Sequence, residues 1–433
     1  MKRVRLLLIS FMALLGLLVS SCGNPYNTAD LHTGLFADAA WSPLVAADGQ
    51  GNTIVVWLQS SGVYANRHAY GSGWGAAQKI AEFPSLGWSD MHFAVSKNGQ
   101  AVVAWCQSEL DGSSVRTVRY SPVSGWGAVE NLADVGTPKD VGVADNGDVF
   151  LAAEYSTGLT DGVALARFHQ GTGWSRDLIS HAGSSGNGHP RIAVGGSGEG
   201  FLVWAEDGSD TSHLYASRLS SIALGAPELI ASAGGPAAWT NVSLDLEGNA
   251  MVVWGQQPAS GHFHSYGCRY GVSSGWGPAV QIDNSDFDCV YQTLSADGGG
   301  NLYAAWTQRD GTGTSAIYSA RYQQATGWQT PQRASSTGYV GYPHIAVTST
   351  GDLFATWQRW GLNDLSADAT VVANIFSPGL GWASELQIRS ANGSASPPEV
   401  ATDQSGAATL IWSQSTGSVD GTTQYAIYYT RVE

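Results

Sequence analysis

"DGQGNTIVVWLQ", residues 48–59, is the stretch whose recurrence decides the fold. "DLEGNAMVVWGQ" at 245–256 and "DGGGNLYAAWTQ" at 297–308 repeat its frame. The Gly of this motif falls at 51, 99, 147, 198, 248, 300, 351 and 406, a period of 48–55 residues. Six residues later stands Trp57, Trp105, Trp204, Trp254, Trp306, Trp357 or Trp412; only the third copy differs, with Ala153. Two residues further on come Gln59, Gln107, Gln256, Gln308 and Gln414, with Tyr155, Glu206 and Arg359 as variants. An alternating segment then ends in Arg67, Arg119, Arg167, Arg218, Arg269, Arg321 or Arg431, with Ile375 the exception. Last comes a Gly-Trp opening at Trp74, Trp126, Trp174, Trp276, Trp328 and Trp382, replaced by Leu224 in the fourth copy.

Each copy reads as four short strands, A to D. Strand A is "PLVAA" or "PHIAV". A tight turn with Gly at a positive-φ position leads into strand B, "TIVVWLQ". Strand C is "VYANRHA" or "AIYSARY", and strand D starts at the Gly-Trp. A unit of about 50 residues with four strands, repeated eight times, is a propeller blade. The fold expected is all-β, an eight-bladed β-propeller of four-stranded blades. A chain of 433 residues with 55 Gly and 17 Trp suits it. Thirteen of the Trp occupy the two repeat slots and are read as packing; the repeated Arg are read as structural.

The eighth copy stops after strand C. "YNTADL", residues 26–31, stands 22 residues ahead of Asp48, as the Gly-Trp slots stand ahead of theirs. The N-terminal strand is therefore expected to complete the last blade and close the ring.

Lys2, Arg3 and Arg5 precede an apolar stretch from Leu6 to Val19, too short to span a bilayer comfortably. Residues 1–21 read as a signal peptide and 22–433 as a single propeller domain. Val19-Ser20-Ser21-Cys22 resembles a bacterial lipobox, in which the cysteine takes an acyl group such as palmitate and becomes the new N-terminus. With Gly23, not Asp, in the next position, the resemblance implies an outer-membrane lipoprotein of the cell envelope, on either side of that membrane. The lipid would be its only membrane contact. Because the closing strand begins so close to Cys22, the lipid is expected to hold the face opposite the strand A entrance near the bilayer. The charge is −15 and turns more negative once the three bases are removed, so nucleic acid is not an expected partner. Cys268 and Cys289 are spaced so that they could pair, and Cys106 is read as a buried thiol.

Four residues before the Asp48 slot, strand A carries Leu44, His92, Asp140, Arg191, Asn241, Thr293, His344 and Glu399. Two before it stand small residues, Ala46 to Ala401, suited to a crowded axis. The varied positions share one face and should ring the channel mouth. Trp41, Trp88 and Trp239, assigned to D-to-A connections, and Trp360, assigned to a B-to-C connection, should emerge on that side with Tyr291 and Tyr342. Aromatic faces beside polar groups are what sugar rings and peptide side chains need. Asp310-Gly-Thr-Gly-Thr-Ser and the turn at Glu206 have the oxygen-rich composition of calcium turns. No cofactor, catalytic set or metal set is assigned. His262 and His264, on one strand face, are read as solvated.

The whole mature chain resembles bacterial surface and periplasmic β-propellers, several of them sialidase-like or lectin-like. It departs from sialidases: their Asp-box places Trp five residues after Asp, whereas Asp48 and Trp57 are nine apart. Of three converging arginines the mouth offers Arg191, with Arg309 or Arg359 as candidates. The repeat of quinone-dependent eight-bladed dehydrogenases is absent. The reading is a non-catalytic, lipid-anchored binding propeller recognising a glycan or protein ligand at the mouth. The alternatives are an extracellular polysaccharide hydrolase or lyase, using Asp140, Glu399, His92 or His344, and an envelope-complex scaffold. Deleting residues 24–34 should lower the melting temperature sharply by exposing an unpaired sheet edge; a deletion that melts like the parent removes the closure model.

Overall fold

The computed structural model describes residues 40–432 except 84–87, 110–111, 157–160, 181–187, 208–210, 259–260, 298–299, 362–367, 390–392 and 420–421. It is all-β, with eight antiparallel sheets arranged as an eight-bladed propeller. Strand A of blade 1 is Ala40–Ala47; its successors include Trp88–Val95, Thr137–Val143, Arg191–Val194, Ala237–Leu244, Cys289–Ala296, Tyr339–Val347 and Glu399–Thr402. In each blade A pairs with B and B with C. In five blades strand D is split, as in Gly73–Trp74 and Gln78–Glu82. The split follows the Gly-Trp, where the next residue donates to the Arg carbonyl of strand C (Gly75 to Arg67, Gly127 to Arg119, Gly277 to Arg269).

The opening motif folds as a clamp. Asp48 Oδ1 accepts from the backbone N–H of Gln50 and Asn52, and Asn52 Nδ2 donates to Asp48 Oδ2 at 2.7 Å. Gly51 holds φ at 85°, the left-handed region open to glycine. Asn52 Oδ1 then accepts from Tyr70 N, tying the A–B turn to the C–D turn; Asp245 and Asn249 reproduce the arrangement with Val272 N. The strand C Arg often seals the same turn. Arg269 pairs with Asp245 and Arg431 with Asp403, while Arg119 lies 3.5 Å over the Phe168 ring of the next blade.

At Trp254 and Trp306 the Gln two residues on is the partner of the indole N–H. Trp254 Nε1 donates to Gln256 Oε1 and Trp306 Nε1 to Gln308 Oε1, both at 3.3 Å; Glu206 accepts from Trp204 at 2.7 Å. The indole stacks on a strand C Tyr, as in Trp254–Tyr266 at 5.9 Å and Trp57–Tyr64 at 5.8 Å.

Eight hydrophobic clusters occupy the eight gaps between neighbouring blades. Each strand B Trp packs toward the preceding blade, so Trp105 fills the 1–2 gap and Trp412 the 7–8 gap. Trp57 joins Ile411 and Ile427 in the gap between blades 8 and 1, which closes the ring. In the 2–3 gap, where Ala153 stands, Leu132 from the end of strand D and Val135 from the connection after it pack with Val102, Val141 and Leu151.

Several expectations are corrected. Trp41, Trp88 and Trp239 lie within strand A and Trp360 ends strand B, Leu353–Trp360, because pairing continues past a bulge near the start of strand A. Cys268 and Cys289 are both buried free thiols. Their sulfurs turn to separate carbonyls, Gly277 and Phe287, and burial pushes Cys268 up to about 11. The small strand A residues face the next blade's inner strand: a Cβ on Gly142 would meet Val194, and Ser295 Oγ accepts from Val347 N. Blade 8 has three described strands, A to C. The signal peptide, Cys22 and the closing strand at 26–31 lie outside the described residues.

Trp254→Ala should cost roughly 3–5 kcal/mol, and Ala153→Trp about 1–3 kcal/mol because its gap is already filled. Urea unfolding of both variants checks this; a neutral Ala153→Trp would mean the third gap has room for the missing wedge.

Candidate functional site

The channel mouth is built at the strand A entrance, where one backbone device recurs. Two residues before six of the eight mouth positions the chain turns left-handed: Ser42 (φ 50°), Asp90 (45°), His189 (36°), Trp239 (53°), Tyr291 (58°) and Tyr342 (56°). Pro138 and Pro397 hold this slot in blades 3 and 8. Left-handed φ is strained for bulky side chains. A bulge of this kind bends the strand and re-aims its side chain. The signal in the sequence is the fixed spacing of these eight positions, but nothing in their chemistry announces the backbone.

The mouth residues themselves lace each blade to the next. His92 Nε2 lies 3.0 Å from Pro138 O, so that nitrogen carries the proton. Asp140 Oδ2 accepts from Ile192 N at 3.0 Å. Arg191 donates to Lys139 O behind it and Thr240 O ahead, and Asn241 donates to Gln292 O at 2.8 Å. His344 Nδ1 meets Glu399 Oε2 at 3.0 Å. Burial holds His92 below its ordinary value, joined by the Arg191 charge and opposed by Asp140. For His344 burial pulls the same way, but the charge and hydrogen bond of Glu399 outweigh it and raise the value. Much of the expected ligand ring therefore has its hydrogen-bonding capacity engaged in holding blades together.

The aromatic residues divide. Trp41 packs with Leu44 against the core between blades 1 and 2. For Trp88 the backbone pairs with Gln107, and its side chain is outside the described atoms. Trp239 and Trp360 belong to one continuous run across blades 5, 6 and 7. Phe263 meets Trp239 at 5.0 Å, Trp239 meets Tyr291 at 5.3 Å, Tyr291 meets Tyr342 at 4.3 Å and Tyr342 meets Trp360 at 6.1 Å between ring centroids. The hydroxyls of Tyr291 and Tyr342 are 3.2 Å apart. Burial, with that hydrogen bond, pushes Tyr291 up to about 12. Three of the strained residues thus supply the centre of the run.

At its end opens a pocket of about 470 Å³ lined by Tyr291, Tyr342, Trp360, Tyr339, Thr307 and Arg309 among others. The volume suits a small ligand or one or two sugar rings. The buried Thr307 hydroxyl has no hydrogen-bond partner among the described residues. Arg309 touches Asp288 at 3.4 Å with its side chain more than half exposed. Arg309 and Arg359 pair with different carboxylates, Asp288 and Glu385, while Arg191 donates to backbone carbonyls.

Other candidates are locally satisfied. Asp310 accepts from the backbone and hydroxyls of Thr312 and Thr314, which hold its carboxyl down to about 2. His262 pairs with Asp288 and His264 with Asp283, separate carboxylates. Among the described residues no group of three or more His, Cys, Asp or Glu is arranged for a metal.

No family model and no curated protein matches the chain. Solved structures similar to it include a Hadza microbial sialidase, at 10% identity over 62% of this chain and TM-score 0.42. The chain spans 63% of the length of that sialidase. A Penicillium chrysogenum α-L-arabinanase complexed with arabinobiose is similar at 11% identity, over 79% of this chain and 93% of its own, TM-score 0.41. A leech intramolecular trans-sialidase is similar at 8% identity, over 92% of both chains, TM-score 0.40. These are likenesses of propeller architecture at low identity, and nothing about this chain's ligand follows from them.

Because the folded His344 value is raised, its pair with Glu399 contributes stability fully below the ordinary value of 6.5 and loses it as pH rises through the raised value. Glu399→Gln should therefore lower the melting temperature at pH 6 and converge on the parent as pH rises past the raised His344 value. A pH-independent difference would show that the raised His344 value does not carry the pair's stability.

Proposed function

We propose that this protein is a non-catalytic glycan-binding propeller that holds its ligand on the aromatic run of blades 5–7. The observation that carries the reading is the run itself: Trp239, Tyr291 and Tyr342, each left-handed, in ring contact across three blades and ending at an open pocket. Backbone strain is retained where surrounding structure over-determines it, and here it lines up three aromatic side chains. Sugar rings stack their C–H faces on such surfaces. The tyrosine hydroxyls and the Arg309 guanidinium would take the ring hydroxyls or a sugar carboxylate. The chain would be held at the cell envelope by a lipid on Cys22, as the lipobox resemblance implies.

His344 and Glu399 pair with one another, and Asp140 is engaged by two backbone amides. That engagement favours binding over acid–base chemistry at the mouth.

A glycan array probed with the mature chain should give hits whose affinity falls at least tenfold in Tyr342→Ala and Trp360→Ala, with unchanged melting temperature. Trp41→Ala should instead lower stability and leave affinity intact. Unchanged affinity in both run variants would overturn the site. Binding to peptides and to no glycan would favour the protein-ligand reading.

A further inference from the structure

The face opposite the mouth carries the A–B and C–D turns, and the most exposed large apolar side chains of the protein stand on it. Val123 is 96% exposed, Leu380 89%, Ile222 83%, Tyr70 64% and Leu246 62%. Among the described residues these are all the large apolar side chains exposed beyond 60%. Four of them occupy the same repeat location, the C–D turn, in blades 1, 2, 4 and 7; Val272 holds it in blade 5. Seven C–D turn segments, 69–73, 121–125, 169–173, 219–223, 271–275, 323–327 and 377–381, contain no Asp, Glu, Lys or Arg, in a chain that is 13% charged.

We infer that this ring of turn tips is a membrane-contact face that seats the propeller on the interfacial region of a phospholipid bilayer. Scattered apolar side chains are ordinary on a protein surface. Here they stand at equivalent ends of blades around one ring, so a flat surface meets them together, whereas a compact partner would meet one or two. Turn tips free of charge enter a headgroup layer without stranding an ion. Nearer the axis the A–B turns carry Lys97, Asp145, Glu199 and Glu247 around a depression of about 630 Å³. This mostly acidic centre disfavours anionic lipid, so the face suits zwitterionic headgroups and binds through apolar insertion.

The choice of a bilayer rests on the lipid-anchor reading of Cys22. Cys22 and Ala40 are eighteen positions apart, about 60 Å when extended. Strand A of blade 1 has 8 residues, about 27 Å at strand rise, so the lipid reaches this face. The ligand site would then point to the aqueous side.

The test places an environment-sensitive dye at one end or the other of blade 2, at Val123→Cys or at Ser108→Cys on the mouth side. The lipidated chain, with Cys106, Cys268 and Cys289 replaced, is reconstituted in phosphatidylcholine vesicles. Nitroxide-labelled lipid should quench the dye at 123 several-fold more than the dye at 108. A Cys22→Ala chain should still partition weakly onto the same vesicles, without salt dependence. Replacing Tyr70, Val123, Ile222 and Leu380 by Ser should lower that partition at least tenfold with an unchanged melting temperature. Vesicle-bound protein with equal quenching at both positions overturns the face while leaving the anchor standing. Failure of the intact chain to float with vesicles counts against the anchor, and the Cys22→Ala partition then reads the face by itself. Concentration-dependent dimers that the Ser variant abolishes, with no partition, would assign the face to a second copy of the chain and overturn the proposal.

Discussion

The packing of one indole between two sheets is the interaction on which the rest of this molecule depends. A twisted four-stranded sheet leaves a wedge-shaped gap against its neighbour, and a strand B Trp fills that gap in seven of eight interfaces. The indole N–H is then buried, and an unpaired buried donor is costly. The Gln two residues on answers it at Trp254 and Trp306, and Glu206 does so at Trp204. The Gln side chain also donates onward, as Gln256 does to Gly235 O at 2.8 Å, fixing the segment that leads into the same blade's strand A. A single packing constraint thereby sets the position of the inner strands and so of the mouth.

Once the inner strands are set, they crowd. Alternation gives each one a face against the following blade, and the small residues and the mouth residues share it. Asp140, His92, Arg191 and Asn241 serve there as rivets. Bulges near the strand start relieve this crowding, and in blades 1, 2, 5, 6 and 7 a residue beside the bulge takes left-handed backbone. The strain costs on the order of 1–3 kcal/mol per residue and persists because strand A stays paired to strand B beyond the bulge.

The repeat made the fold legible. Eight Gly at a steady period, a Trp six residues after seven of them and a Gly-Trp further on sufficed for blade number, strand order and the location of the mouth. The site was legible only in part. Trp239, Trp360, Tyr291 and Tyr342 were picked out because they stood off the repeat slots, and the structure brings these four together. The same criterion selected Trp41, which packs in the core beside Leu44. Off-slot position reports that a residue is free of the wedge role; it does not report where a bulge aims the side chain. His92, Asp140 and Arg191 were legible as one face, but their hydrogen bonds to the next blade depend on inter-strand distances that spacing along the chain does not encode. Cys268 and Cys289 show the same limit, since proximity in sequence left open which carbonyls their sulfurs meet.

The strained slot is where the eight equivalent blades become unequal. Backbone geometry there is imposed by the fold, so the side chain is free to vary without changing the packing beneath. Blades 1, 2 and 4 place Ser42, Asp90 and His189 at this slot. Blades 5, 6 and 7 place three aromatics in succession. Adjacent blades put equivalent positions within ring-contact distance, as the 4.3 Å between Tyr291 and Tyr342 shows. Successive aromatics at one slot therefore merge into a continuous surface, whereas the same residues in alternate blades would remain isolated. A repeat protein can gain a binding surface in this way by changing a few side chains at a position whose conformation is already determined.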